Sequence, residues 1–153
     1  MYRRILVPLE RERGAQAHLR DAAALASEMK AELVLLRTVT VIPDDEYVIR
    51  HIQVEAGSSG AKRKGEAEEY VGRLRAGLQD QGVSVETAVI VSDKAEDEAI
   101  VEYATQTQCD LIVLPNQRRS LVSHWLQGNV PAKVQRRSHL PILLIRESAQ
   151  AVS

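Results

Sequence analysis

The stretch from Asp110 to Arg146 holds the residues whose types and spacing could do chemistry. Leu111 to Leu114 is an apolar run, and Pro115, Arg118, Arg119, Gly128 and Asn129 punctuate the polar segment that follows. A helix then starts near Asn129, and Pro141-Ile142-Leu143-Leu144-Ile145 closes the stretch. A loop that feeds a helix start can hold a nucleotide's phosphates, because the first-turn N–H groups of the helix lack partners and favour anions. Arg118 and Arg119 could add charge-assisted hydrogen bonds of roughly 1.5–3 kcal/mol each. Against this, Pro115 has no N–H to offer, Pro131 removes one leading donor of the helix, and Glu10 and Glu12 bring negative charge to a neighbouring segment. Asn129 also reads as an ordinary helix cap, with Pro131 in the tolerant first turn.

Other chemistries find less. Neither G-x-x-x-x-G-K-[ST] nor G-x-G-x-x-G occurs, so the P-loop and dinucleotide fingerprints are missing. His18, His51, His124 and His139 are far apart and lack the paired spacing of a zinc site, so no metal is expected. Ser120 and Ser123 lie outside a G-x-S-x-G elbow, and no catalytic residue is expected. Cys109 reads as a small core residue beside its strand, and Trp125 as an apolar anchor for its loop. The clusters Lys62-Arg63-Lys64, Arg118-Arg119 and Arg136-Arg137 read as solvated surface, since aromatics are only 3% and Glu66, Glu68 and Glu69 flank the first. A net charge of -1 likewise gives no global pull on nucleic acid or an anionic membrane. With 153 residues, 44% of them apolar, the chain suits one domain spanning residues 1–153. The first apolar run is too short for a signal peptide, and no run reaches the length of a membrane span, so a cytoplasmic location is expected.

The elements that must position these residues alternate. Ile5 to Val7, ended by Pro8, and Leu33 to Leu36 read as buried parallel strands, because continuous apolar runs suit strands covered on both faces. Between them Leu19, Ala22, Ala23, Ala26 and Met29 recur at helical spacing. Pro43 to Gly60, interrupted by Gly57-Ser58-Ser59-Gly60, reads as a long connection. Tyr70, Leu74 and Leu78 mark a helix over 62–81, which Gly82 stops in a left-handed conformation. Val83 to Val91 makes a third strand, and Asp93 with Glu96 resembles a capping box opening a helix through Ala104. Leu111 to Leu114, Asn129 to Arg137 and Pro141 to Ile145 supply the fourth strand, fourth helix and fifth strand.

Five strands joined by helical crossovers make an α/β fold: a single doubly wound parallel sheet with helices on both faces. Ligands in such sheets bind beyond the carboxyl ends of the strands, where the strand order reverses. In the order 3-2-1-4-5 that point lies between Leu9 to Gly14 and Pro115 to Gly128. The fifth strand is then an edge whose apolar row, Ile142, Leu143, Leu144 and Ile145, needs a cover; a second copy pairing strand to strand would provide it.

The whole chain resembles the universal stress protein family. The resemblance is carried by Ile5-Leu6-Val7-Pro8, the alanine-spaced first helix, Ile100 to Ala104, Cys109-Asp110-Leu111-Ile112-Val113 and Pro141 to Ile145. It implies a small α/β domain of that strand order, a homodimer through the fifth strand, a role in stress adaptation and, for many members, ATP binding. Members that bind ATP carry an aspartate after the first strand and a loop of the form G-x-x-G, nine residues, then G-[ST]. On this chain the aspartate falls on Glu10, the loop glycines on Pro115, Arg118 and Gly128, and the hydroxyl residue on Asn129; Thr38 or Val39 falls where the adenine is lined. Glu10 is longer than aspartate by one methylene. An arginine at position 118 costs on the order of 1–3 kcal/mol if the main chain there keeps a glycine-only shape. The expected function is that of a non-catalytic regulatory or interaction protein, homodimeric, without ATP in the family's usual mode and with no cofactor. The alternative is an ATP- or other nucleotide-binding member, with magnesium, that uses Arg118, Arg119 and the helix start at Asn129 for phosphate contacts and hydrolyses slowly.

Overall fold

The computed structural model describes residues 1–10, 17–41, 46–116, 125 and 129–146. In chain order these form β1 (Arg4–Leu9), α1 (Ala17–Met29), β2 (Glu32–Thr40), α2 (Glu46–Asp80), β3 (Val85–Ser92), α3 (Glu96–Gln106), β4 (Leu111–Asn116), α4 (Val130–Arg137) and β5 (Ile142–Arg146). The strands make one sheet in the order β3-β2-β1-β4-β5, parallel at every pairing. Strand alternation divides the core in two. Ile5, Val7, Leu9, Leu33 and Leu35 meet Leu19, Ala22, Ala23 and Ala26 of α1 with Val71 and Leu78 of α2. Leu6, Val34, Leu36, Ile112 and Leu114 meet Ile100 and Ala104 of α3, Val130 and Val134 of α4, and Trp125. Both faces are covered, which is why the strands read as unbroken apolar runs.

The pairing lengths create the crevice expected at the strand reversal. β1 pairs with β2 from Arg4 to Leu9, but with β4 only at Ile5 and Leu6. Beyond Leu6 the two central strands part. The Arg4 carbonyl accepts from Asp110 N–H, so even positions of β1, Pro8 among them, turn their main-chain groups toward β4. Ile112 N–H donates to the Pro141 carbonyl, so even positions of β4 turn to β5 and Pro115 turns to β1. Two prolines therefore flank the gap, and neither has an N–H to bridge it. This corrects two expected strand ends: β1 runs through Pro8, and β4 runs through Pro115 to Asn116. A proline is tolerated inside each strand because the ladder it would interrupt has already stopped.

Three further expectations change. The segment expected as a connection up to Gly60 is helical from Glu46, so α2 runs 35 residues and passes through Gly57-Ser58-Ser59-Gly60. Helix propagation is cooperative, and the turns anchored by Ala67, Val71 and Leu78 extend it despite poor local propensity. The capping box at Asp93 does not form: α3 starts at Glu96 after Ala95, with no side-chain cap. Its acidic first turn complements the helix dipole instead. Finally, α4 starts at Val130; Asn129 precedes it in the left-handed region at φ 56°, and its side chain caps no N–H. Asparagine is among the few non-glycine residues that accept this conformation readily. Gly82 ends α2 as expected, at φ 85°.

Candidate functional site

β1 delivers Glu10 to the mouth of the crevice, where only 4% of the residue is exposed. A buried carboxylate needs donors, and Glu10 Oε1 accepts from the main-chain N–H of Trp125 at 2.8 Å. Trp125 is itself fully buried, in the cluster between the sheet and α3 and α4. Its indole Nε1–H donates to Glu96 Oε2 at 2.8 Å, in the first turn of α3. Next to Glu96, the buried Asp97 accepts from Arg137 Nε at 3.0 Å, which ties α3 to the end of α4. One tryptophan thus joins the carboxyl end of β1 to the amino end of α3. It occupies the space between the parted strands and the helices that cover them.

What stays open beside the indole is a cavity of about 140 Å³ between β4, β5 and α4, lined by Pro115, Asn116, Trp125, Asn129, Gln135 and Leu144 among others. Among the described residues its polar side chains are the amides of Asn116, Asn129 and Gln135 and the indole of Trp125, neutral donors and acceptors. Of the expected site residues, Pro115, Asn129 and the Trp125 anchor meet at this cavity, and Glu10 meets Trp125 from the β1 side. Val39 is 1% exposed within β2, paired with Val91 of β3. It sits within the packed sheet. Thr38 is likewise buried, and its carbonyl accepts from the Arg37 guanidinium. Arg118, Arg119 and Gly128 lie outside the described residues, as do Ser120, Ser123 and His124.

Three residues near the site have partners that the sequence did not reveal. Glu96 was assigned to a helix start, yet its partner is Trp125, and its neighbour Asp97 is held by Arg137. His18 sits on the apolar stripe of α1 with 2% exposure, and its Nε2 lies 3.1 Å from the Pro8 carbonyl. Burial lowers its pKa, opposed by that hydrogen bond and by the nearby Glu10 charge. A histidine next to Leu19, at the start of the stripe that continues through Ala22, Ala23 and Ala26, was the available signal. Cys109 is buried as expected and its thiol is pushed up by burial, the opposite of an activated nucleophile. Among the described residues no group of three or more His, Cys, Asp or Glu side chains could hold a metal ion. None of their helices is long and apolar enough to cross a membrane.

A profile of the Universal stress protein family matches residues 1–146. The chain belongs to the universal stress protein family. Among its relatives, Universal stress protein MJ0577 of Methanocaldococcus jannaschii is 25% identical, over 95% of this chain and 96% of that one. Universal stress protein MJ0531 of the same organism is 23% identical, over 96% and 84%. The solved structure of MJ0577 superposes with a TM-score of 0.75 at 23% identity, covering 97% of this chain and 98% of that chain. A universal stress protein from Archaeoglobus fulgidus, solved in complex with dAMP, superposes with a TM-score of 0.64 at 20% identity, covering 94% and 98%. At such identities the superpositions establish a shared fold.

Proposed function

We propose that this universal stress protein is a non-catalytic regulatory or interaction protein of the cytoplasm that does not take ATP in the family's usual mode. The observation that carries the reading is the fate of Glu10: the carboxylate at the ligand-facing end of β1 accepts from the main chain of a fully buried Trp125. A ribose placed there would have to displace a charge-assisted hydrogen bond and a buried aromatic ring together. The prolines at 8 and 115 support the same reading, because the crevice walls they form present no N–H groups to a phosphate. The protein then acts through its surface as a homodimer paired along β5. Leu143 and Leu144 are each 39% exposed on that edge strand, an apolar row that strand pairing would cover.

One observation favours a nucleotide-binding reading instead: the relative from Archaeoglobus fulgidus was solved with dAMP. A thermal-shift titration separates the two. A ligand at about a hundred times its dissociation constant adds roughly 2.7 kcal/mol of stability. Millimolar ATP with magnesium is expected to leave the melting temperature unchanged, and a saturable rise would establish the nucleotide-binding reading.

A further inference from the structure

A cavity of about 510 Å³ lies between α1 and the last turns of α2, on the opposite face of the sheet from Trp125. Its floor is apolar: Leu19, Ala23, Leu78 and Val83 are buried, and the partly buried Leu74 lies beside them. Side-chain length leaves this space open. Leu19, Ala23 and Ser27 recur every four residues and line one flank of α1. After Leu19 that flank carries only a methyl and a hydroxymethyl group toward α2. α2 adds no bulk of its own, since Gly77 stands between Leu74 and Gln81 and a Cβ there would meet nothing within 4 Å. The volume falls within the range of about 300–1,000 Å³ usual for small-molecule sites. The groove opens to water, so an apolar occupant gains by covering its floor.

Charge selects the occupant. Arg20 lines the groove toward the start of α1, and Ser27 and Gln81 line its other end. The two carboxylates of α1, Asp21 and Glu28, lie seven residues apart and so share another flank. Among the described residues no carboxylate lines the groove, and Arg20 makes no ion pair. An arginine lays its aliphatic stem along apolar surface and presents a planar fork that matches a carboxylate. From Arg20 to Ser27 the helix rises by about 10 Å, a distance that a straight aliphatic chain of medium length spans.

We propose that the groove between α1 and α2 binds an amphiphilic carboxylate of the medium-chain fatty acid class. The Arg20 guanidinium takes the carboxylate, and the aliphatic chain lies over Leu19, Ala23, Leu74, Leu78 and Val83. The site is separate from the crevice and from the β5 edge, so it stands or falls independently of the ATP titration and of the dimer.

The test titrates the isotope-labelled full chain at neutral pH with octanoate below its micelle concentration, following amide shifts and the melting temperature. The expected result is a saturable shift centred on the amides of Ala23, Ala24, Ser27, Leu78 and Gln81, with a raised melting temperature. Octanol, which keeps the chain and lacks the charge, should bind about tenfold more weakly, the loss of one charge-assisted contact. Arg20→Gln should weaken octanoate binding by the same factor, and Ser27→Phe, which places a ring in the groove, should abolish it. Shifts that do not saturate, shifts centred on another surface, or a melting temperature that falls on addition would each overturn the proposal. So would wild-type affinity for octanoate in a folded Arg20→Gln or Ser27→Phe. The comparison of octanoate with octanol needs no variant, so equal binding of the two by the wild-type protein overturns the proposal even where a variant does not fold.

Discussion

Trp125 joins three parts of the site. Its ring fills the space between the parted strands and α3, its main chain satisfies Glu10, and its indole N–H satisfies Glu96. Trp125→Ala removes a buried aromatic and leaves a cavity, at an expected cost of about 3–5 kcal/mol in chemical denaturation. Trp125→Phe keeps most of the packing and loses the indole hydrogen bond, so its cost should be nearer 1 kcal/mol. Equal losses in the two variants would show that the hydrogen bond, and not the packing, dominates. In the sequence this residue was legible as an anchor, because a tryptophan usually buries most of its large apolar area. Its partners were not legible, since Glu10 lies 115 positions away and Glu96 lies 29 away. No local spacing links such groups.

At the level of elements, what packs and what merely propagates differ along α2. Gly65, Gly72 and Gly77 stand within the helix, and a Cβ at each would meet nothing within 4 Å. Replacement of any one by alanine should therefore raise stability by about 0.5–1 kcal/mol, through helix propensity and a less flexible unfolded chain. Gly82 also has open space, but its φ of +85° belongs to the left-handed region. There alanine should destabilise by about 1 kcal/mol, because L side chains are strained in that conformation. Thermal melts of the four single variants check both signs; a gain at Gly82 would mean that the stop at the end of α2 is not held as observed. The helix over 62–81 and its glycine stop were readable because Tyr70, Leu74 and Leu78 recur at a helical period. The turns before Gly60 were not, because Gly-Ser-Ser-Gly is the local signal of a connection, overridden here by propagation from packed turns. The start of α3 was misread for a related reason. Asp93 and Glu96 have capping spacing, yet Glu96 is engaged with Trp125.

For the molecule as a whole, the exposed apolar edge of β5 should govern association. Leu143→Lys places a solvated charge on an edge strand, a common device against strand-to-strand pairing. Sedimentation at micromolar concentration is expected to show a dimer for the wild-type protein and a monomer for Leu143→Lys, with unchanged circular dichroism; a wild-type monomer would remove the β5 dimer. By itself the sequence determined the α/β class, the parallel sheet and its two covered faces, because apolar runs, helical periods and a left-handed glycine are local patterns that burial and sterics impose on short segments. Set beside the family's ATP-binding pattern, it also led to the expectation that the residues suited to a phosphate cradle are mostly replaced. Only the tertiary structure decided how far β1 and β4 stay paired, that Pro8 and Pro115 face each other across the gap, that Trp125 donates to Glu10, and that His18 meets the Pro8 carbonyl. The reason is distance along the chain. Groups brought together by strand crossovers leave no periodic trace, and their chemistry exists only once the sheet has closed around them.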